Sequence, residues 1–329
     1  MDFFKLSNAG NAKEYFGVNW ALTTKCNYRC SYCHPDLYNG KIKTAEFEVI
    51  TKFVDKVFNY CRNKELKPFF EFAGGEVTYL KWFSALLDYI SQRGGLVSII
   101  SNASSSLEWW DKHINSLHGA CLSFHVEGVK SAEHFIQVAK VAEQCRTTNL
   151  HVNVMMPPKR FDECLQFAEE LRSRVETSIA LQPLYYGFGG AGITGKYPYS
   201  AEQEEIMKTC RGRSYHKDIP EPRGSVMISM DNGEILKKST FDLLIEEKTN
   251  FLGWDCNAGI ENIVVTFQGD IYRAWCMQDR PIGTIFDEQL ELPVIPMLFR
   301  TKICQCGADI CSTKVKRKVQ GNTPQLVAV

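Results

Sequence analysis

The chain has 329 residues, of which 44% are apolar and 23% charged, with 38 basic residues balancing 38 acidic ones. That is the make-up of a water-soluble globular protein with material for one large domain or two ordinary ones. It supplies no net field to hold nucleic acid or an anionic membrane. The opening segment MDFFKLSNAGNAKEYF lacks the long apolar core of a secretion signal, and no apolar run is long enough to span a bilayer, so a cytoplasmic protein is expected.

About sixteen residues precede the first expected strand, GVNWALT at 17–23, so no separate leader-binding domain is expected in front of it, which counts against a peptide substrate. A cysteine-bearing loop, TTKCNYRCSYCHPD, follows, then a helix over 45–62. FFEFAGGE (69–76) reads as strand and turn, LVSIISNAS (96–104), ACLSFHVEG (120–128), NLHVNVMMPP (149–158) and TSIALQPL (177–184) as further strands. Helical patterns lie between them near 79–93, 106–117, 130–146 and 160–174; Phe135, Val138, Ala139 and Ala142, for example, recur on one helix face. Six β-then-α units with apolar strands predict an α/β fold in which a parallel sheet curls into a partial (β/α)6 TIM-like barrel over residues 1–215. Chemistry in such folds sits at the carboxyl ends of the strands, where this chain puts its cysteine loop, Gly74-Gly75-Glu76, Ser101-Asn102 and His125. Met155-Met156-Pro157-Pro158 reads as a strand end with a rigid exit.

The character changes near residue 186. In GFGGAGITGKYPYS, Gly190-x4-Gly195-Lys196 imitates a phosphate-binding loop, but Tyr197 stands where Ser or Thr is needed, so a mobile loop over the barrel mouth is expected instead. Hairpins at 226–238 and 262–276 then predict a small β-rich region over 216–315. Residues 316–329 read as a polar tail, and the basic run Lys314-Val315-Lys316-Arg317-Lys318 as solvated.

Thirteen cysteines without a secretion signal ask for an explanation other than disulfides. Cys61, Cys121, Cys145, Cys164 and Cys210 are scattered singly and read as small buried hydrophobes. Cys26, Cys30 and Cys33 lie within eight positions. Soft thiolates at that spacing suit zinc or an iron–sulfur cluster. Zinc normally shows paired knuckles or His partners, and His34, directly after Cys33, is badly placed to complete a tetrahedron. A 4Fe–4S cluster on three cysteines leaves one iron open to a ligand.

The pattern Cys26-Asn-Tyr-Arg-Cys30-Ser-Tyr32-Cys33, with Gly74-Gly75-Glu76 after the second strand, resembles the radical S-adenosylmethionine (radical SAM) enzymes. It departs from their glycine-rich turn only at Val77, where the family carries Pro. The resemblance implies that the open iron chelates SAM, that Gly74, Gly75 and Glu76 hold its amino group, and that Tyr32 lies near the adenine. Ser101, Asn102 and Ser123 would then lie near the methionyl and ribose groups. It implies one-electron cleavage of SAM to a 5′-deoxyadenosyl radical that takes a hydrogen atom from substrate, with electrons from a flavodoxin- or ferredoxin-type donor.

The second group, Cys256, Cys276, Cys304, Cys306 and Cys311, resembles the twitch domain, the shorter relative of the SPASM domain, which holds one auxiliary 4Fe–4S cluster. The resemblance implies Cys256, Cys276, Cys304 and Cys306 as ligands, with Cys311 as substitute. A zinc ribbon is the competing reading. If Cys311 is no ligand, it is a candidate hydrogen-atom donor, or else a buried spare thiol. His125 is a candidate substrate or SAM contact or a satisfied core histidine, and Glu127 is expected to share its face. Tyr185, Tyr186, Trp254, Arg273 and Trp275 mark the expected junction of barrel and tail. Three functions follow: a maturase that crosslinks or epimerises a ribosomal peptide, a dehydrogenase or epimerase of a sugar or aminocyclitol, or a non-catalytic iron–sulfur protein. The intact cysteine triad and Gly-Gly-Glu turn argue against the last, the aromatic junction favours the peptide, and zero net charge disfavours a nucleic-acid partner.

Overall fold

The computed structural model describes residues 3–9, 14–187, 194–209, 224–301, 303–304 and 306–317. Cys210 and much of the glycine-rich stretch, residues 188–193, lie outside them.

In chain order the elements are β1 (Phe3–Asn8), β2 (Tyr15–Thr23), α1 (Phe47–Asn63), β3 (Lys67–Gly74), α2 (Phe83–Ser91), β4 (Leu96–Ser101), α3 (Leu107–His113) and β5 (Gly119–Phe124). Then come α4 (Ala132–Gln144), β6 (Asn149–Met155), α5 (Phe161–Arg174), β7 (Ser178–Gln182), β8 (Tyr185–Tyr186), β9 (Gly195–Lys196) and α6 (Ala201–Thr209). The remainder are β10 (Ser225–Met230), β11 (Ile235–Ser239), α7 (Thr240–Ile245), β12 (Trp254–Cys256), β13 (Asn262–Val265), β14 (Asp270–Tyr272), β15 (Gly283–Thr284), β16 (Met297–Leu298), α8 (Gly307–Cys311) and β17 (Lys314–Lys316).

Strands β2 to β7 pair in parallel in sequence order, each followed by a helix up to α5, as the alternation of apolar runs and amphipathic segments predicts. The side-chain period of two divides each strand. Phe16, Val18, Trp20 and Leu22 of β2, Phe70 and Phe72 of β3, and Val152 and Val154 of β6 join the helices in one large core. Their neighbours Asn19, Glu71, Ser98, Cys121, Asn153 and Gln182 therefore face the other way, onto the inner face of the partial barrel.

The tail differs from expectation in three places. The 262–276 hairpin does not stay with the β-rich tail: β13 pairs in parallel with β2, Asn262 opposite Gly17, and carries β14 and β15 onto the barrel sheet. Its Ile263 and Val265 alternate like a barrel strand and enter the large core. The N-terminal segment is not a mere lead-in: β1 sits between β10 and β17 in a second, six-stranded sheet ordered β11-β10-β1-β17-β12-β16. Phe3 and Leu6 anchor it in a second core with Val226, Phe251, Trp254 and Phe299. The basic run is not wholly solvated either, because β17 buries Lys314 completely while Lys316 and Arg317 stay exposed. No helix among the described residues is long and apolar enough to cross a membrane.

Candidate active site

Chain direction brings the singled-out residues to one end of the barrel sheet. The loop after β2 carries Cys26, Cys30 and Cys33, all free thiols. Local bonds shape it: the Tyr28 amide donates to Cys26 Sγ at 3.3 Å and the Cys33 amide to the Cys30 carbonyl at 3.0 Å. Arg29 donates to the Cys26 and Tyr28 carbonyls at 2.5 and 2.8 Å. Burial pushes the Cys30 and Cys33 thiols up to about 11 and about 12, and for Cys33 the thiols of Cys30 and Cys26 add to the rise, so the three sulfurs influence one another.

The turn after β3 packs directly on this loop. Gly75 donates to the Thr23 carbonyl at 2.7 Å and Glu76 to the Lys25 carbonyl at 2.8 Å. A Cβ on Gly74, whose φ is +133°, would lie 2.3 Å from the Thr23 carbonyl oxygen, and one on Gly75 would lie 2.2 Å from that of Lys25. Two glycines are thus required for the backbones to meet.

Glu76 is fully buried and spends both carboxylate oxygens on the chain. Oε1 accepts from the Thr78 amide (3.1 Å), Thr78 hydroxyl (2.6 Å) and Ser101 hydroxyl (2.9 Å), and Oε2 from the Asn102 amide (2.6 Å). Burial holds its carboxyl above the usual range, and these donors pull it back. The bonds tie the β3 turn to the exit of β4. From there Asn102 Nδ2 reaches Asn27 Oδ1 at 3.0 Å and Cys26 Sγ at 3.8 Å. Nothing local in the sequence marks Asn27, because its role depends on two strand ends meeting.

On the far side, Tyr32 stacks on His125 with centroids 5.9 Å apart, and its hydroxyl lies 3.1 Å from His125 Nδ1. Burial drives His125 down to about 4, partly offset by the Glu127 charge, so the imidazole is neutral near pH 7. Glu127 turns to the cysteine loop and accepts from the Ser31 amide and hydroxyl at 2.6 and 2.9 Å. Ser123 is buried on the inner face of β5, two residues before His125.

Deeper on the inner face a polar network spans three strands. Asn153 donates to Cys121 Sγ at 3.1 Å and its carbonyl accepts from Gln182 at 3.0 Å, while His151 lies 3.0 Å from Asn153 Oδ1 and 2.6 Å from Ser178 Oγ. The alternation of β5, β6 and β7 holds the signal for these residues, overlooked because each is a single polar residue in an apolar strand.

The second cysteine group gathers around β12 and α8. Cys256, Cys304 and Cys311 are buried and Cys276 and Cys306 half-buried. Burial holds Cys256 above the usual thiol value and Cys304 well above it; Cys276 rises to about 11, chiefly by burial and further through Asp309 and Cys256. Cys311 accepts from the Gly224 amide at 3.2 Å and borders a small cavity with Tyr15, Gly17 and Phe69 at the amino ends of β2 and β3. Cys256, Cys304 and Cys311 lie in the second core, and Cys276 packs against it.

Among the described residues, no group of three or more His, Cys, Asp or Glu closes tightly enough to hold a single metal ion. A cubane cluster is wider than an ion and asks for ligands farther apart, and each group offers thiols that act on one another without such closure. Soft thiolate donors of this kind suit zinc or an iron–sulfur cluster.

No protein-family model matches the chain. Over 98 residues, 28% of this chain, it is 32% identical to an S-adenosylmethionine-dependent nucleotide dehydratase of Selenomonas ruminantium, covering 31% of that protein. Streptococcus suis SuiB bound to precursor peptide SuiA superposes with a TM-score of 0.50 at 13% identity, over 84% of this chain and 64% of that one. The anSMEcpe enzyme with bound AdoMet gives a TM-score of 0.48 at 16% identity, over 83% of this chain and 78% of that one. The chain thus spans less than two thirds of both the curated relative and SuiB.

The chain shares the fold of SuiB over 84% of its length.

Its cysteine loop, Gly-Gly-Glu turn and β4 exit meet at the carboxyl end of the sheet. Glu76 is bonded to the chain through both oxygens, and the Asn102 amide group it anchors reaches Cys26. Of the expected junction residues, Trp254 is buried in the second core, Arg273 donates to the Ile295 carbonyl at 3.0 Å, and Tyr186 stacks on Tyr197 at 4.1 Å.

Proposed function

We propose that Cys26, Cys30 and Cys33 hold a 4Fe–4S cluster with one open iron, and that the chain uses it to start radical chemistry on a ribosomally made peptide, by crosslinking or epimerisation. The observation that carries this is the meeting of three free thiols, a Gly-Gly-Glu turn and the Asn102 amide at one strand end. When bound, the cluster and SAM supply a 5′-deoxyadenosyl radical by one-electron cleavage. The chain's own residues hold and orient. Gly74 and Gly75 bring backbone close enough to bind the amino group of SAM, and Glu76 positions Ser101 and Asn102 beside it. Tyr32 and neutral His125 form an aromatic wall for the adenine or substrate, and Ser123 is a further polar contact. Cys256, Cys276, Cys304 and Cys306 hold one auxiliary 4Fe–4S cluster, while Cys311, engaged by Gly224, is the fifth thiol and the candidate hydrogen-atom donor.

A peptide suits the outer surface. β7 is an edge strand of the barrel sheet, with exposed Tyr185 and Tyr186 just beyond it. SuiB, whose fold the chain shares, was solved with its precursor peptide. A second reading, a small polar metabolite, is favoured by the Cys121–Asn153–His151–Gln182 network on the inner face and by the partial match to a nucleotide dehydratase.

The test is release of 5′-deoxyadenosine by anaerobically reconstituted protein with SAM, a reductant and size-fractionated extract of the source cells. Stimulation by a peptide-sized fraction that is lost after protease supports the peptide; stimulation by a protease-resistant metabolite fraction moves the assignment to the second reading. Absence of 5′-deoxyadenosine under all conditions removes both.

A further inference from the structure

Lys314 is a fully buried lysine beside the second cysteine group. In β17 it stands directly opposite Cys256 of β12 and Leu6 of β1 in the sheet register. Its Nζ donates to the carbonyls of Asp309, Ile310 and Ser312 at 2.5, 3.4 and 3.0 Å and lies 5.2 Å from the Phe251 ring centroid. Three carbonyl acceptors match the three N–H donors of an ammonium ion; a neutral amine has only two.

A buried cation held by neutral carbonyls alone is costly and calls for an anion nearby. The acidic groups that act on Lys314 are Cys256, Cys304, Asp309 and Cys311, with the two cysteines Cys256 and Cys304 foremost. As ligands of an iron–sulfur cluster Cys256 and Cys304 would be thiolates and would add to the negative charge that Asp309 already places beside Lys314.

We propose that Lys314 is the fixed counter-charge of the auxiliary site, favouring assembly of an anionic cluster on Cys256 and Cys304 and raising its reduction potential. The proposal rests on the auxiliary-cluster reading above. Adding an electron makes a cluster more negative, and a cation facing its ligands stabilises the reduced form more than the oxidised one. The plain alternative is a lysine that only caps the carbonyl end of α8; that role needs donors but no charge.

The experiment starts from protein in which Cys26, Cys30 and Cys33 are all replaced by Ala, so that any remaining iron belongs to the tail. Lys314→Gln keeps an N–H donor and removes the charge; Lys314→Arg keeps the charge. Iron and sulfide per chain are counted and the midpoint potential is read by anaerobic titration followed by EPR. The expected result is a more negative midpoint, or loss of tail iron with unchanged circular dichroism, in Lys314→Gln, with Lys314→Arg close to the parent. Equal iron and equal midpoints in parent and Lys314→Gln overturn the counter-charge role while leaving the auxiliary cluster standing. A triple-alanine parent without iron overturns the auxiliary cluster itself and the proposal with it. Should Lys314→Gln not fold, Lys314→Arg decides: the proposal expects parent-like iron and midpoint from it, and a folded Lys314→Arg whose tail iron is lost overturns the charge argument.

Discussion

Glu76 joins two strand ends through a carboxylate that accepts four hydrogen bonds. Replacing it by Gln keeps the shape but turns one oxygen into a donor, which then faces an N–H or O–H donor. Glu76→Gln is expected to cost about 1–3 kcal/mol in chemical denaturation, and to lower SAM affinity in equilibrium dialysis because Asn102 loses its anchor. His125 carries a pH signature. Its folded-state value near 4 lies below the ordinary 6.5, so the unfolded chain binds more protons between them. Stability from this group is present above pH 6.5 and is lost as pH falls through about 4. In the metal-free protein, denaturation midpoints should fall over that window, by up to about 3 kcal/mol, and His125→Gln should flatten the slope. An unchanged slope would mean that the imidazole is not held neutral.

At the scale of elements, the strand exits do the positioning. β2, β3 and β4 are fixed by alternation and by the helices behind them, and their exits meet because neighbouring parallel strands end side by side. The contact between the β3 turn and the cysteine loop is backbone on backbone, and it tolerates no side chain at Gly75. Gly75→Ala is therefore expected to push the loop away, cost about 1–3 kcal/mol, and reduce iron bound by the first cysteine group. Iron per chain after reconstitution and thermal melting of the metal-free protein measure the two effects separately. Wild-type iron content in Gly75→Ala would show that the turn does not shape the cysteine loop.

Across the whole molecule, the tail sheet is completed by the other end of the chain. β1 fills the gap between β10 and β17 and buries Phe3 and Leu6 in the second core. Deleting residues 3–8 opens two strand edges and removes those side chains, a loss of about 3–6 kcal/mol of apolar burial. The expected outcome is faster proteolysis within 225–239 and loss of the second transition in calorimetry, with the barrel transition kept. A deletion variant that melts like the full chain would mean that β1 is not part of the tail's stability.

By itself, the sequence determined the six parallel strands and the five helices between them, because strand and helix periods are local properties, and it determined the cysteine loop and Gly-Gly-Glu turn, because their spacing is short. It also carried the order of residues at the strand ends, since parallel strands with helical crossovers bring all carboxyl ends to one side. Tertiary structure alone decided that Asn27 meets Asn102, that β13 leaves the tail for the barrel edge, and that β1 enters the tail sheet. Each depends on pairing between segments distant in sequence, which no local period encodes. Lys314 is the clearest case. In the sequence it opens a basic run and reads as solvated, yet pairing with β1 and β12 seals it from water beside Cys256. Burial is a property of what covers a residue, and the cover here comes from segments about 60 and 300 residues away in the chain.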